Sequence, residues 1–395
     1  MISAYETALV VLCGLWTLGF VYLFWARLRV PQFQRFRFTE PKQLPLLSVV
    51  IPACNEAANI AEAVASLLAQ DYPNFELILV NDRSNDGTGE IIDRLASRDQ
   101  RIRALHVQTL PEGWLGKVHA LDRGFQIAQG EWLLFTDADV HFAAGTLRRA
   151  LGWAMENRID HLGLAPLAVQ KGFLLDIVVH TFMLLFLLGT RAAGINRPTS
   201  RAFAGVGAFN LVRRAAFQRT LGFPWLRLEP CDDVGLGMMV KRAGGRSFFA
   251  FAQQNLSVAW YPSVAAMFKG LEKNLFGSTA NYHWWVTVIN TLALFALAVA
   301  PGLAILRGLI EGRHLLYGAG LAALATHGAF SFTAATQGWR SRFSLLFVPF
   351  GLTMIGAMMV NAAWKCLVHG GIDWRGTRYP LEQLRAGQRV KLLST

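Results

Sequence analysis

Leu46-Leu47-Ser48-Val49-Val50-Ile51-Pro52 is a continuous β-rich run that breaks at once into the polar cluster Ala53-Cys54-Asn55-Glu56. A short apolar run bounded in this way predicts a buried strand. A helical pattern follows over Ile60 to Gln70. A second run, Phe75-Glu76-Leu77-Ile78-Leu79-Val80, then breaks into Asn81-Asp82-Arg83-Ser84-Asn85-Asp86-Gly87-Thr88. The rhythm repeats with a helix from about Gly89 to Ser97, a strand near Arg103 to Val107 and a helix from about Lys117 to Gln129. It reaches Trp132-Leu133-Leu134-Phe135, which runs into Thr136-Asp137-Ala138-Asp139. Strand–helix alternation of this kind predicts an α/β, doubly wound, mostly parallel sheet. Ligands of such sheets bind beyond the carboxyl ends of the strands, where each polar cluster falls.

Asp137 and Asp139 lie one residue apart at the end of a predicted strand, so both carboxylates can reach one divalent cation. Hard oxygen ligands suit Mg²⁺ or Mn²⁺, which commonly also bind substrate phosphates. A lone D-x-D also occurs as a solvated turn, and its weight here comes from the clusters around it.

The composition places this domain in a membrane protein. Of 395 residues, 53% are hydrophobic and 16% charged, and mean hydropathy is +0.33, too apolar for an ordinary soluble enzyme. The formal net charge of +12 fits cytoplasmic flanks and anionic lipid. The interleaved aromatic and basic pattern of a nucleic-acid binder is not evident, so no nucleic-acid partner is expected. Cys13, Cys54, Cys231 and Cys366 are scattered and read as reduced thiols.

Thr7 to Ala26 is uncharged and long enough to cross the hydrocarbon core. No small-residue cleavage site is evident after it, which predicts a retained anchor. Arg27, Arg29, Arg35, Arg37 and Lys42 follow and assign that end to the cytoplasm. Val286 to Leu306, Leu315 to Trp339 and Phe343 to Trp364 are three further apolar segments. Three full spans would put the C-terminus outside, whereas Arg375, Arg378, Arg385, Arg389 and Lys391 argue for inside. A re-entrant Leu315–Trp339 would reconcile the two. The expected organisation is an N-terminal anchor and basic linker (1–43), a catalytic domain (44–262), an interfacial connector (263–285), a C-terminal transmembrane region (286–368) and a basic tail (369–395). The expected location is the inner, cytoplasmic membrane, multi-pass, with the catalytic domain facing the cytoplasm.

Pro52-Ala53-Cys54-Asn55-Glu56, Val80 to Thr88 and Thr136-Asp137-Ala138-Asp139 resemble, in order, the motifs of family 2 glycosyltransferases with the GT-A fold. The resemblance covers most of Leu44 to Pro262. It implies donor binding by Pro52, Ala53, Asn55, Glu56, Asp82, Lys117 and Asp137, with metal on Asp137 and Asp139. Asn81 stands where the family often has Asp, so base contact falls chiefly to Asp82. Helix capping is the other reading of Asn55 and Asp82. Lys117, within Gly116-Lys117-Val118-His119-Ala120-Leu121, would contact the diphosphate. The longer Pro111-Glu112-Gly113-Trp114-Leu115-Gly116-Lys117 is similar to hopanoid-associated and carotenoid-type glycosyltransferases. His119 is left without a role.

Gly205-Val206-Gly207-Ala208-Phe209-Asn210 resembles the family's acceptor-side loop, and Asp232-Asp233 with Leu236 matches its E-D-x-x-L pattern with Asp in place of Glu. By that resemblance Asp233 is the catalytic base and Gly205, Gly207 and Asp232 lie on the acceptor side. Dipole partnership at a helix start is the ordinary alternative for the two acids. The segment Phe173 to Leu188 reads as an amphipathic helix on the membrane beside the acceptor, or as a buried core helix. The Q-x-x-R-W motif of processive synthases is absent, so no polymer is expected.

The expected activity is an inverting transfer from a nucleotide sugar, with UDP the expected nucleotide, to a lipid hydroxyl of isoprenoid, hopanoid or carotenoid type. The rivals are a polyprenyl-phosphate sugar synthase of the dolichyl-phosphate mannose synthase type and a non-catalytic membrane scaffold.

Overall fold

The computed structural model describes residues 3–40, 43–335 and 343–391. Lys42 of the basic flank and residues 336–339 of the second C-terminal segment, ending at Trp339, lie outside the described residues.

The chain opens with α1 (Ala4–Arg29), capped by Ser3 and Glu6 in a reciprocal capping box. The α/β domain then builds outward from β1 (Leu47–Ala53), buried along its whole length. Next come α2 (Ile60–Leu68), β2 (Phe75–Asp82), α3 (Thr88–Arg98), β3 (Ile102–Val107), α4 (Gly116–Ile127) and β4 (Trp132–Phe135). These four strands pair in parallel, with β1 between β2 and β4. Burial on both faces is what allows near-continuous apolar runs in a parallel sheet.

The second half reverses direction. After β5 (Val140–Phe142) and α5 (Thr146–Glu156) come β6 (His161–Ala165), β7 (Leu167–Ala168), α6 (Phe173–Gly189) and β8 (Asn210–Arg213). The short helices α7 (Arg214–Gln218) and α8 (Gly222–Leu226) lead to α9 (Asp232–Arg242), β9 (Ser247–Phe251) and β10 (Leu256–Val258). The seven-stranded sheet has the order β3-β2-β1-β4-β8-β6-β9, and β8 runs antiparallel to both its neighbours. Strands β5, β10 and β7 form a small second sheet.

The connector carries α10 (Val264–Leu271) and α11 (Leu275–Ala280) and leads into α12 (Trp284–Ile310), α13 (His314–Ala335) and α14 (Val348–Val368). Among the described residues four helices are long and apolar enough to cross a membrane: α1, α12, α13 and the segment Ser344–Val368 that contains α14. Helices α1, α12 and α13 form a bundle. At one end Glu6 pairs with Arg313 at 3.1 Å; at the other, beside the domain, Arg27 donates to the carbonyl of Thr333.

Helix α14 is placed differently. The turn before it meets α13 partway along, where His327 Nε2 lies 2.7 Å from the Leu345 carbonyl. Its last turn reaches the connector, where Lys365 pairs with Glu272 at 2.7 Å. Helix α6 packs along it, with Gly351 against the side chain of Thr181, and most of α6 is buried. Residues 369–391, read from the sequence as part of a basic tail, fold into the hairpin β11 (Gly371–Trp374) and β12 (Thr377–Pro380) and the helix α15 (Leu381–Gly387). The buried Glu229 carboxylate accepts the N–H groups of Arg389 and Val390 at 2.7 and 2.8 Å. Residues 389–390 are therefore held against the α/β domain.

Helix α4 fixes the site's floor to the sheet, and it sits close because Gly124 presents no side chain to Val50 and Val80. Replacing Gly124 by Leu overpacks this contact, at a cost of about 1–3 kcal/mol. The apparent melting temperature of the detergent-solubilised protein should fall; an unchanged value would contradict this packing.

Candidate functional site

Strand β4 ends between β1 and β8. Thr136 donates its N–H to the Val50 carbonyl at 3.2 Å and its hydroxyl to the Ala208 carbonyl at 2.7 Å. Asp137 is thereby presented beyond the carboxyl edge of the sheet. Its own N–H donates to the Gly207 carbonyl at 3.0 Å, while the Gly207 N–H donates to Asp233 Oδ2 at 2.8 Å. One residue, Gly207, bridges the backbone of Asp137 and the carboxylate of Asp233. A Cβ there would strike the Asp137 carboxylate, and one on Gly205 would strike the Asp233 carbonyl. Both positions have to be glycine for this approach.

Lys117 is the centre of charge. It is the second residue of α4, and its Nζ lies 2.8 Å from Asp137 Oδ1 and 3.4 Å from Asp232 Oδ2. Burial alone would drive the ammonium toward neutrality, but Asp137, Asp232 and Asp233 outweigh it and hold the lysine charged well above its ordinary range. The same pairing keeps Asp137 ionised below the usual carboxylate range, against burial. Its side chain is 38% exposed, toward a cavity.

The other acids are pushed the opposite way. Asp139 is raised to about 7 by burial and then by the neighbouring Asp137 and Glu56. Asp232 rises to about 6 through burial, which Lys117 offsets only in part. Asp233 is raised as well, chiefly by burial. Acids with divergent environments in one cleft mark a functional site.

Two connected spaces meet at these residues. The first, about 110 Å³, is lined by Pro52, Glu56, Lys117, Asp137, Asp139 and groups from the C-terminal part. The second, about 230 Å³, is reached from Asp137, Asp139 and Asp233 and runs along Phe182, Met183, Phe186, Trp260 and Leu275. Gly205 and Gly207 line this larger space, whereas Asp232 faces Lys117.

The strand-end loops are tied to each other. Asn55, at φ +58°, donates its N–H to Ser84 Oγ at 3.0 Å and accepts the Asn85 N–H at 2.9 Å. Glu56 donates its N–H to Thr88 Oγ1 at 2.8 Å. Ala53 is buried at the end of β1. Asn55 and Asp82 do not cap helices, since α2 and α3 begin after Asn59 and Gly87. The Asp82 carboxylate is paired with Arg83 through Nε at 2.8 Å and Nη2 at 3.3 Å. Arg83 in turn donates to Thr377 Oγ1 at 3.1 Å.

Sequence reasoning missed the C-terminal contribution. Arg375 pairs with Glu56 at 3.1 Å, Tyr379 Oη accepts the Gly116 N–H at 3.2 Å, and Trp374 carries Lys273 over its ring at 4.1 Å. The signal was present as Arg375-Gly376 between two short alternating runs, a hairpin pattern. Among the described residues no group of three or more His, Cys, Asp or Glu side chains is arranged to hold a metal. Two carboxylates with a diphosphate suffice for Mg²⁺ or Mn²⁺, and Asp137 and Asp139 face one cavity. That donor set fits the group.

Residues 48–221 match the family model described as Glycosyl transferase family 2. EpsJ of Bacillus subtilis, an uncharacterized glycosyltransferase, is 34% identical over 120 residues, 30% of this chain and 33% of its own. TuaG of the same organism, a putative teichuronic acid biosynthesis glycosyltransferase, is 32% identical over 138 residues, covering 34% of this chain and 53% of its own. The Campylobacter jejuni GalNAc(5)-diNAcBac-PP-undecaprenol beta-1,3-glucosyltransferase is 30% identical over 113 residues, 29% of this chain and 36% of its own. The chain thus spans from about a third to about half of these relatives. The solved mannosyltransferase PcManGT from Pyrobaculum calidifontis, in complex with GDP-Man and Mn²⁺, is similar over 92% of this chain and 98% of that one, with a TM-score of 0.53 and 20% identity. The likeness shows a GT-A-like fold, and the family model supports a family 2 glycosyltransferase domain.

The raised Asp139 carboxyl predicts a pH-dependent cation site. A proton must leave before the carboxylate binds metal, so affinity falls as pH drops through about 7. Mn²⁺ binding read by electron paramagnetic resonance should weaken by roughly tenfold per pH unit below that point, with uptake releasing about one proton. Asp139→Asn should flatten the profile. An unaltered profile in that variant would remove Asp139 from the cation site.

Proposed function

We propose that this chain is a membrane-bound, inverting glycosyltransferase that moves a sugar from a nucleoside-diphosphate sugar to a lipid hydroxyl. One observation carries the reading: Asp137, Asp139 and Asp233 line a space whose other walls are mainly apolar and come in part from α6 and α11, which pack on α14, a helix long enough to span a membrane. The donor diphosphate takes the polar side, beside Lys117, and the acceptor enters along Phe182, Met183 and Trp260.

The chemistry follows from the two sides of Gly207. The acceptor oxygen attacks the anomeric carbon as the bond to the donor phosphate breaks, and the nucleoside diphosphate leaves with the electron pair. Asp233 Oδ takes the acceptor proton; its elevated pKa makes it a stronger base than an ordinary carboxylate. The Gly207 and Val234 N–H groups, at 2.8 Å each, hold that carboxylate in place. Lys117 stays charged at the leaving diphosphate. Asp137 and Asp139 would hold a divalent cation, which when bound offsets charge on the leaving group. Attack from the side opposite the diphosphate inverts the anomeric centre.

A hydroxyl acceptor fits better than a polyprenyl phosphate. Among the described residues the larger space is lined by three carboxylates and by no lysine or arginine, which would repel a phosphate. A scaffold role leaves the clustered charges of Lys117 and its three acids without a purpose. The finer reading, an isoprenoid acceptor of hopanoid or carotenoid type, is supported by the resemblance of the Pro111-to-Lys117 sequence, and UDP is the nucleotide proposed with it. The site would face the cytoplasm at the inner membrane, since Arg27 and Arg29 flank the domain end of α1. Helices α1, α12 and α13 would cross, and α14 would enter partway and return. The segment that resolves the parity conflict is then α14 rather than Leu315–Trp339.

Incubating the full chain in nanodiscs with a panel of nucleotide sugars and extracted lipids, read by mass spectrometry, tests the proposal. A lipid gaining one sugar supports it; turnover of a polyprenyl phosphate alone would overturn the acceptor class. Asp233→Asn keeps the shape and removes the base, so turnover should drop by about 10²–10⁴-fold while nucleotide-sugar affinity stays near wild type. Asp232→Asn should be milder. Near-normal turnover of Asp233→Asn would contradict its assignment.

A further inference from the structure

The donor-side space has one wall that no family motif supplies. Helix α14 delivers the β11–β12 hairpin across the strand ends, and the turn residues Arg375 (φ +50°) and Gly376 (φ +76°) are both left-handed. Two such residues make the tight turn that matches strand twist, and this turn sets the Arg375 guanidinium at the cavity. Three contacts pin the hairpin to separate loops: Arg375 to Glu56, Thr377 to Arg83 and Tyr379 to Gly116.

The charges around this space are unequal in their commitments. Lys117 is engaged by Asp137 and Asp232. Lys273 makes no ion pair among the described residues; its ammonium lies over the Trp374 ring and opens to the same cavity. Arg375 spends a single nitrogen on Glu56, which leaves donors of a five-donor fork to the cavity. A half-buried ammonium in no direct ion pair among the described residues, with a planar fork beside it, forms an anion site across the space from Asp137 and Asp139.

We propose that Lys273 and Arg375 bind the diphosphate of the donor from the face opposite the D-x-D, so that the C-terminal hairpin completes the donor site. The inference rests on the glycosyltransferase reading and adds two substrate-binding residues to it. Glu56 holds Arg375 in position until the diphosphate competes for the fork. The hairpin hangs from α14, so the apolar part of the chain contributes to donor binding as well as to acceptor access.

The test uses the full chain in detergent with Mn²⁺, titrated calorimetrically with UDP and GDP and, in parallel, UMP and GMP. Arg375→Ala and Lys273→Met should each weaken the preferred diphosphate by about tenfold or more and narrow its advantage over the monophosphate, the loss expected for a charge-assisted contact. Arg375→Lys should recover part of the loss, and Lys273→Met keeps its packing on Trp374. Melting temperatures near wild type confirm folding of the variants. Diphosphate affinity within about twofold of wild type in both variants, with Asp139→Ala impaired, would overturn the role of the hairpin alone. Absence of diphosphate binding by the wild type would overturn the glycosyltransferase reading with it.

Discussion

A lysine ammonium at the start of a helix, enclosed by three carboxylates, is the interaction on which this site depends. Lys117 opens α4, where the helix dipole disfavours a cation. Asp232 and Asp233 open α9, where the dipole favours acids. The two helix starts converge on the D-x-D loop, and the ion pairs join them at 2.8 and 3.4 Å. Removing one partner from such a buried set is costly, because it strands the remaining charges. Neither element explains itself alone: the lysine is tolerated because of the acids, and the acids remain partly ionised because of the lysine.

The second constraint is the close approach at Gly207. Its carbonyl and N–H reach Asp137 and Asp233 respectively, so the groups assigned to leaving diphosphate and attacking hydroxyl share one rigid backbone unit. Asn210 steadies this unit, accepting the Val206 N–H at 3.3 Å and pairing with the buried His161 at 3.0 Å. Burial pushes the His161 imidazole down to about 4. It is therefore neutral near pH 7 and donates from Nε2.

Much of the α/β domain was legible in the sequence, because β1, β2 and β4 are buried on both faces and read as unbroken apolar runs. Their loops carry polar clusters at the edge where parallel sheets bind ligands. The antiparallel β8 was not legible, since four residues, Asn210-Leu211-Val212-Arg213, carry no direction. Arg375 was hidden for another reason. It lies 319 positions from its partner Glu56, and a basic residue after an apolar helix reads as a membrane flank. Helix α14 has the length and composition of a span, and only the His327 contact to Leu345 in the turn before it, the Lys365–Glu272 pair and the hairpin reveal where it begins and ends. Asp82 shows a further limit. Its place at the end of β2 was readable, but the Arg83 fork that occupies both its oxygens depends on a left-handed residue no pattern announces.

In the proposed mechanism the donor diphosphate and the acceptor hydroxyl lie on opposite sides of the anomeric carbon, with Asp233 on the acceptor side. The anomeric configuration of the glycolipid product, read by NMR against that of the donor sugar, tests this most directly. Inversion in a single displacement is the expected result. Retained configuration would overturn the proposed mechanism, which has one base, Asp233, and one direction of attack.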